Sequence, residues 1–438
     1  MPKRRFVLGV LFLALAIFPA TRSAAKAGAD DVLVDHFFSA IRDGNFNAAT
    51  KHFSKRMQAL SPAGLKGSWN QVYAQEGPML GWKIFQRQNL PDSHDEISVQ
   101  LRFHHATANS IVVVKSQRGE ITSVLFKLPA TVAPYSDRTK FDSDDVTVGA
   151  YKLPGTLTIP KGKGPFPAAV LIQGSGPNDR DETVGGNHPF ADIAGGLSSH
   201  GIMALRYDKR TYAHRNLGPQ KTAVVTVDDE VVEDAVAAVR MLRGRRDVAQ
   251  DRIFVIGHSL GAMLAPEIAK KAWPVAGIVM LAPSGRRLPQ LMVEQARVLG
   301  QSSPAELVEI ERQADQLSAH KMGTAQTFFG APASYYYDLD ARDEVAIARS
   351  LDVPILILHG SRDYQAIDED IRDWQTGLKG DAKVQVETLP GLNHLFIAGA
   401  DKPTPAEYFA PGHVDATVIG TIASFVENGG STSAAASN

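Results

Sequence analysis

Five short stretches, AAVLIQG, IMALRYD, IFVI, GIVMLAP and PILILHG, fall between residues 168 and 360, and each is built on a nearly unbroken apolar run. A strand with one wet face alternates apolar and polar residues. A strand apolar throughout is buried on both faces, which calls for a mostly parallel sheet covered by helices on each side. Helical segments stand between the runs. TVDDEVVEDAVAAVRMLRG offers Thr226 as N-cap, acids in its first turn, Val232, Ala235, Val236, Val239 and Leu242 on one face, and Gly244 as a stop. Ahead of them VTVGAYKLPGTLTIP reads as an antiparallel hairpin. The expectation is an α/β unit over residues 141–428.

The run IFVI leads into GHSLG, the one G-x-S-x-G in the chain. LGAMLAPEIAKKA follows with helical texture, so Ser259 stands at a strand-to-helix elbow. Gly257 and Gly261 suit a backbone too cramped for Cβ atoms. Such an elbow lifts the serine hydroxyl above the sheet with a helix N-terminus beneath it. A serine nucleophile needs a base, and the base an orienting carboxylate.

Both partners have candidates downstream, in the order Ser, acid, His. Asp363 follows PILILHG, just past a strand's C-terminal end, where open α/β sheets place ligand chemistry. Asp368 is the alternative acid. His394, in LNHLF after KVQVETLPG, is the base expected among thirteen histidines. His258 is enclosed in the elbow, His359 ends a strand and is expected to bond backbone, and His413 is expected to start the last helix. The oxyanion of a tetrahedral intermediate needs two donors: the N–H of Leu260, and one from the loop QGSGPNDRDE. There Gly174 and Gly176 let backbone approach a substrate, and the N–H of Ser175 is the expected donor, with Gly176 close behind. Two charged runs, NDRDE and YDKR, follow strands. They read as an ion-pair latch between loops, with substrate contact as the alternative.

The flanks are different in kind. Lys3, Arg4 and Arg5, an apolar run Phe6–Phe18, and Ala25-Lys26-Ala27 form the three parts of a secretory leader over residues 1–27, so a periplasmic or secreted protein is expected. The run is short for an uncleaved anchor, and no stable membrane insertion is expected once the leader is removed. Residues 28–128 run from helical stripes (Val34, Phe37, Phe38, Ile41) to β-branched strands, giving a small α+β domain. Residues 129–140 read as a linker. The stretch of about 285–350 reads as an insert without clear strands and a candidate lid, with Leu291–Leu317 amphipathic and Tyr335, Tyr336 and Tyr337 either lining a pocket or packing the lid. GGSTSAAASN, residues 429–438, reads as a disordered tail. With no cysteine, disulfide scaffolds, thiolate metal sites and cysteine nucleophiles are excluded. A net charge of −1 without a basic block gives no sign of a nucleic-acid partner.

GHSLG, GSGPNDRDE, YDKR, GSRDYQ and LNHLF together resemble the bacterial serine esterases of the α/β-hydrolase superfamily, over residues from about Phe141 to Glu427. The first domain is similar in outline to the nuclear-transport-factor cone fold. The resemblance implies hydrolysis of small-molecule carboxylic esters, often of short acyl chains, with no cofactor and no metal. One departure is Gln173, where many relatives carry His-Gly before the oxyanion loop. Rival readings are a peptidase or thioesterase with the same triad, and a non-catalytic ligand-binding protein.

Overall fold

The computed structural model describes residues 29–430 apart from 56, 60–61, 90–94, 105–109, 118, 128–130, 215–225, 300–303, 400–402, 404–406 and 409–410. The leader expected over residues 1–27 lies outside the described residues, as does the expected tail from residue 431. Gly429 and Gly430, assigned to that tail from sequence, instead finish the last helix: Gly430 N–H donates to Phe425 O at 2.7 Å, and a Cβ there would strike Pro354.

The first unit pairs helices α1 (Ala29–Arg42) and α2 (Pro62–Glu76) with four antiparallel strands in sequential order: β1 (Met79–Asn89), β2 (Asp95–Phe103), β3 (Ser110–Gln117) and β4 (Glu120–Lys127). The stripe Val34, Phe37, Phe38 and Ile41 turns inward and packs with Trp69, Val99, Leu101, Val114 and Ile121 in a core of its own. The spacing of three and four puts these side chains on one helix face. From the following segment, Tyr135 O–H donates to Val414 O at 2.6 Å, docking it on the larger unit.

That unit is an eight-stranded sheet. The hairpin β5 (Phe141–Val148) and β6 (Leu153–Pro160) is antiparallel, turning through Lys152 at φ 51. Parallel strands follow: β7 (Phe166–Ile172), β8 (Met203–Tyr207), β9 (Val248–His258), β10 (Gly277–Leu281), β11 (Ile355–Gly360) and β12 (Val384–Leu389). Their order across the sheet is β12-β11-β10-β9-β7-β8-β6-β5. Strands β10 and β11 are buried at every position, as their unbroken apolar runs require. Helices cover both faces and divide the core. On one side lie α4 (Glu233–Arg243), α5 (Leu260–Lys271) and α10 (Asp368–Gly377); on the other, α3 (Pro189–Ser199) and the last helix, α11 (Ala416–Glu427).

Thr226 acts as the expected cap in a particular way. Its Oγ1 accepts from Asp229 N–H at 3.1 Å, and Asp229 Oδ2 accepts from Thr226 N–H at 3.1 Å, a reciprocal capping box. The chain then makes a π-turn over Asp228–Val232 before α4 begins. His413 sits ahead of α11 rather than starting it, and its Nδ1 meets the buried Asp192 at 3.0 Å.

The insert between β10 and β11 holds α6 (Leu288–Leu299), α7 (Pro304–Ser318), a two-stranded ribbon of Thr327–Phe328 with Ala331–Pro332, α8 (Ala333–Asp340) and α9 (Glu344–Ser350). The single amphipathic run Leu291–Leu317 is thus two helices. Pro304 has no N–H to continue a helix but costs nothing at a helix start. The three tyrosines pack the insert: Tyr336 O–H donates to Phe328 O at 2.8 Å, Tyr337 O–H to Met322 O at 2.8 Å, and Tyr335 O–H to Glu230 at 2.6 Å. Among the described residues no helix is long and apolar enough to cross a membrane.

Candidate active site

Strands β7 and β9 are neighbours, yet the chain leaves β7 for β8 on one side and leaves β9 for β10 on the other. Connections that diverge in this way open a crevice beyond the strands' C-terminal ends. The ends that border it here are Ile172, which leads into the QGSGP loop, and His258, which leads into Ser259.

Ser259 turns strand into helix in no room at all. Its φ is 54 and its ψ −118, a strained backbone for a side-chain-bearing residue. A Cβ on Gly257 would run into the Gly261 carbonyl, and one on Gly261 into the Ile172 carbonyl. Both obstacles are backbone atoms, so glycine is required at each. α5 starts at Leu260, and the first amides of a helix have no carbonyl one turn back to bond.

On the far side of β9, the loops after β11 and β12 meet. His394 Nδ1 and Asp363 Oδ2 lie 2.7 Å apart, and both side chains are buried. The other carboxylate oxygen, Oδ1, accepts from the N–H groups of Gln365 (2.7 Å) and Ala366 (3.0 Å), which fixes the carboxylate plane. Asp368 goes elsewhere. It is 68% exposed and meets His359 Nε2 at 3.0 Å, so His359 bonds a side chain and not the backbone expected of it. His258 ties the His394 loop to the elbow: its Nε2 stands 2.9 Å from the His394 carbonyl oxygen, and the two rings are 4.7 Å apart.

The QGSGP loop packs against the elbow from the β7 side. A Cβ on Gly174 would come within 3.1 Å of Ser259 Cβ. The Gly174 N–H donates to Glu182 Oε1 at 2.6 Å, while Glu182 Oε2 lies 3.0 Å from His258 Nδ1, as an ion pair not aligned for a hydrogen bond. Glu182 itself has φ 51. Burial works against the charged form of the His258 ring, but the Glu182 carboxylate, the His394 carbonyl and Asp363 together outweigh it and lift His258 above the ordinary histidine range. Gln173, 0% exposed, uses its amide to hold Tyr207 O, so it is a brace between β7 and β8.

The latch reading of the two charged runs is the one the structure has. Arg180 forks onto Asp208 through Nε (3.0 Å) and Nη2 (3.2 Å), Arg206 pairs with Asp181, and Arg210 forks onto Asp234 at 2.9 Å through each nitrogen. Lys209 is the exception. It is 1% exposed and donates to the carbonyls of Gly174 (2.7 Å) and Gly176 (3.0 Å). Burial pushes its ammonium below the ordinary lysine range, against the pull of Glu230 and Glu182. Sequence reasoning had no role for Lys209, Glu182 or Glu230 one by one. Lys209 and Glu182 showed only as members of charged strings beside strand ends, and Glu230 only as one of the acids in the first turn of the helix after Thr226.

Comparison with known proteins identifies relatives of the chain. The family model described as "Alpha/beta hydrolase family" matches residues 170–410. Esterase EstD of Thermotoga maritima is 39% identical over 420 residues, covering 94% of this chain and 97% of that relative. Among solved structures, Est1E from Butyrivibrio proteoclasticus is 15% identical with a TM-score of 0.43, over 65% of this chain and 98% of that one. The Pyrococcus furiosus esterase Pf2001 is 12% identical with a TM-score of 0.42, over 70% and 98%. With the family model matched over more than half its length and the Thermotoga esterase over nearly all of it, the chain belongs to the alpha/beta hydrolase family.

Proposed function

We propose that the protein is an exported serine esterase that cleaves carboxylic esters of short acyl chains through an acyl-enzyme. Identity of 39% to a named esterase across nearly both whole chains supports ester hydrolysis. The observation that carries the mechanism is the buried 2.7 Å contact of His394 Nδ1 with Asp363 Oδ2, on a loop bonded to the residue before the strained Ser259.

In this reading Ser259 Oγ attacks the ester carbonyl carbon as His394 takes its proton at Nε2, the nitrogen that Asp363 leaves free. Asp363 holds the tautomer with the proton on Nδ1 and balances the imidazolium that forms. The carbonyl oxygen becomes an oxyanion, faced by the N–H groups of Leu260 and Ser175. The intermediate collapses, the alkoxide leaves with the proton from His394, and the acyl group stays on Ser259. Water then attacks, again giving its proton to His394, and collapse releases the acid and restores the serine.

Ser259→Ala should lower kcat for p-nitrophenyl acetate by about 10⁴–10⁶-fold and abolish labelling by a fluorophosphonate probe. Turnover of the variant at the wild-type rate would overturn the assignment, and failure of the wild type to label would favour a binding protein. An ester panel of increasing acyl length should show kcat/KM falling beyond short chains. Export rests on the sequence of residues 1–27, and fractionation of expressing cells should find the activity outside the cytoplasm.

A further inference from the structure

We propose that Lys209 is a positioning residue for the oxyanion loop, and that Glu230 and Tyr335 extend its hold to the insert. The inference rests on the esterase reading and adds to it the group that orients the second oxyanion donor.

The argument starts from peptide geometry. In a trans peptide the C=O of one residue and the N–H of the next point in opposite directions. Whatever fixes a carbonyl therefore aims the following amide. The Gly174 carbonyl accepts from Lys209 Nζ at 2.7 Å and from Asn178 Nδ2 at 3.1 Å, so the Ser175 N–H is turned away from both. The Ser175 carbonyl accepts from Asn178 Nδ2 at 3.1 Å, which turns the Gly176 N–H away from that side too. The Gly176 carbonyl accepts from Lys209 at 3.0 Å, and the next residue, Pro177, has no N–H. The remaining amide, that of Gly174, is already spent on Glu182. Within the stretch 174–177, Ser175 and Gly176 are the residues left to offer donors, and Lys209 with Asn178 sets the direction of both.

A latch alone does not need this lysine. Arg180, Arg206 and Arg210 already join the same loops to carboxylates. Lys209 alone in its string reaches peptide oxygens, and it does so fully buried, where an ammonium is costly unless its donors are used. Its charge is balanced by Glu230 Oε2 at 3.7 Å. Glu230 is in turn fixed by Thr211 Oγ1 at 2.8 Å and by Tyr335 O–H, on α8 of the insert, at 2.6 Å. The chain of contacts therefore runs from the insert to the loop beside Ser259.

The test compares Lys209→Met/Glu230→Gln, which removes the pair without stranding a buried charge, and Tyr335→Phe, which removes one hydroxyl. Rates are expressed per active site titrated with a fluorophosphonate, so that misfolded protein does not count. The inhibitors are a trifluoromethyl ketone, whose serine adduct carries an oxyanion, and the matching alcohol, which forms none. The double variant should lose about 10–10²-fold in kcat, short of the 10²–10³ of losing a donor outright, with KM little changed. Trifluoromethyl ketone affinity should fall in proportion to kcat/KM while alcohol affinity holds. Tyr335→Phe should show the same pattern at a few-fold. Wild-type kcat and ketone affinity in the folded double variant would overturn the proposal. If that variant does not fold, unchanged values in Tyr335→Phe would overturn it equally. Should Ser259→Ala keep its activity, the esterase reading fails whatever the Lys209 variants do. Should Ser259→Ala be inactive and the Lys209 and Tyr335 variants behave as wild type, only the present inference fails.

Discussion

His258 Nε2 stands 2.9 Å from the backbone oxygen of His394, so the residue before the proposed nucleophile grips the loop that carries the proposed base. The same ring faces Glu182 through Nδ1, and Glu182 takes the N–H of Gly174. One buried acid and one buried imidazole therefore join three separate pieces of chain: the loop after β7, the elbow after β9 and the loop after β12. Each comes from a different strand end, so their mutual placement depends on cross-bracing of this kind as well as on the sheet. The strained residues Ser259, Glu182 and Phe396 all lie in these pieces, at φ 54, 51 and 59. Such conformations persist only where surroundings over-determine them.

That pair should make stability depend on pH. His258 is held above its ordinary value of 6.5, so its contribution is fully present below about pH 6.5 and is lost as the pH rises through the raised native value. Asp363 adds to the lift, after Glu182 and the His394 carbonyl. Removing one partner strands a buried charge: His258→Gln should cost about 3–5 kcal/mol near neutral pH, and His258→Gln/Glu182→Gln should recover most of it. Urea denaturation between about pH 6 and about pH 9 checks both points. The wild type's advantage over the double variant should shrink toward the alkaline end, and an advantage that does not change with pH would show the pair to be uncharged.

Asp363 and Asp368 make a controlled comparison, since both aspartates bond a histidine ring nitrogen. In Asp363→Asn the amide oxygen can keep the Gln365 and Ala366 N–H groups, which leaves the NH₂ facing His394 Nδ1. That forces the proton onto Nε2, where the base must be empty. A fall of about 10⁴-fold in kcat with little change in melting temperature is expected. Asp368→Asn alters an exposed partner of His359 and should leave kcat near that of the wild type. Steady-state kinetics on the two variants decides, and equal losses would mean that His394 is not the base Asp363 serves.

Much of this was legible in the sequence, and the boundary has physical reasons. Runs such as GIVMLAP and PILILHG declare two buried faces, so a parallel sheet followed from them directly. The elbow was readable because strand, glycine, serine, glycine and helix are contiguous. The contact of Asp363 with His394 was readable in outline because both follow strands of one sheet. Strand order was not. That β7 and β9 are neighbours with β8 outside them is a tertiary fact, and it is what brings QGSGP beside GHSLG. Lys209 was hidden for the same reason: its partners are carbonyl oxygens, which every residue has, so no residue pattern marks them. The split of Leu291–Leu317 into two helices was signalled by Pro304, which the apolar periodicity on either side outweighed.

Glu344 supplies a prediction outside the site. It lies in the first turn of α9, and both its carboxylate oxygens are buried without a hydrogen-bond partner among the described residues. Burial, reinforced by the charge of Glu267, pushes its carboxyl up to about 8, with Arg342 and Lys271 pulling the other way. The native value thus lies above the unfolded value of 4.5, so the folded chain holds a proton that the unfolded chain releases. Stability should therefore fall as the pH rises from about 4.5 toward about 8. Glu344→Gln keeps the shape and removes the titration. Its melting temperature should match the wild type near the acid end of that window and exceed it near the alkaline end. A difference that stays constant across the window would mean that the carboxyl titrates normally, and that the contact of α9 with α5 leaves it open to water.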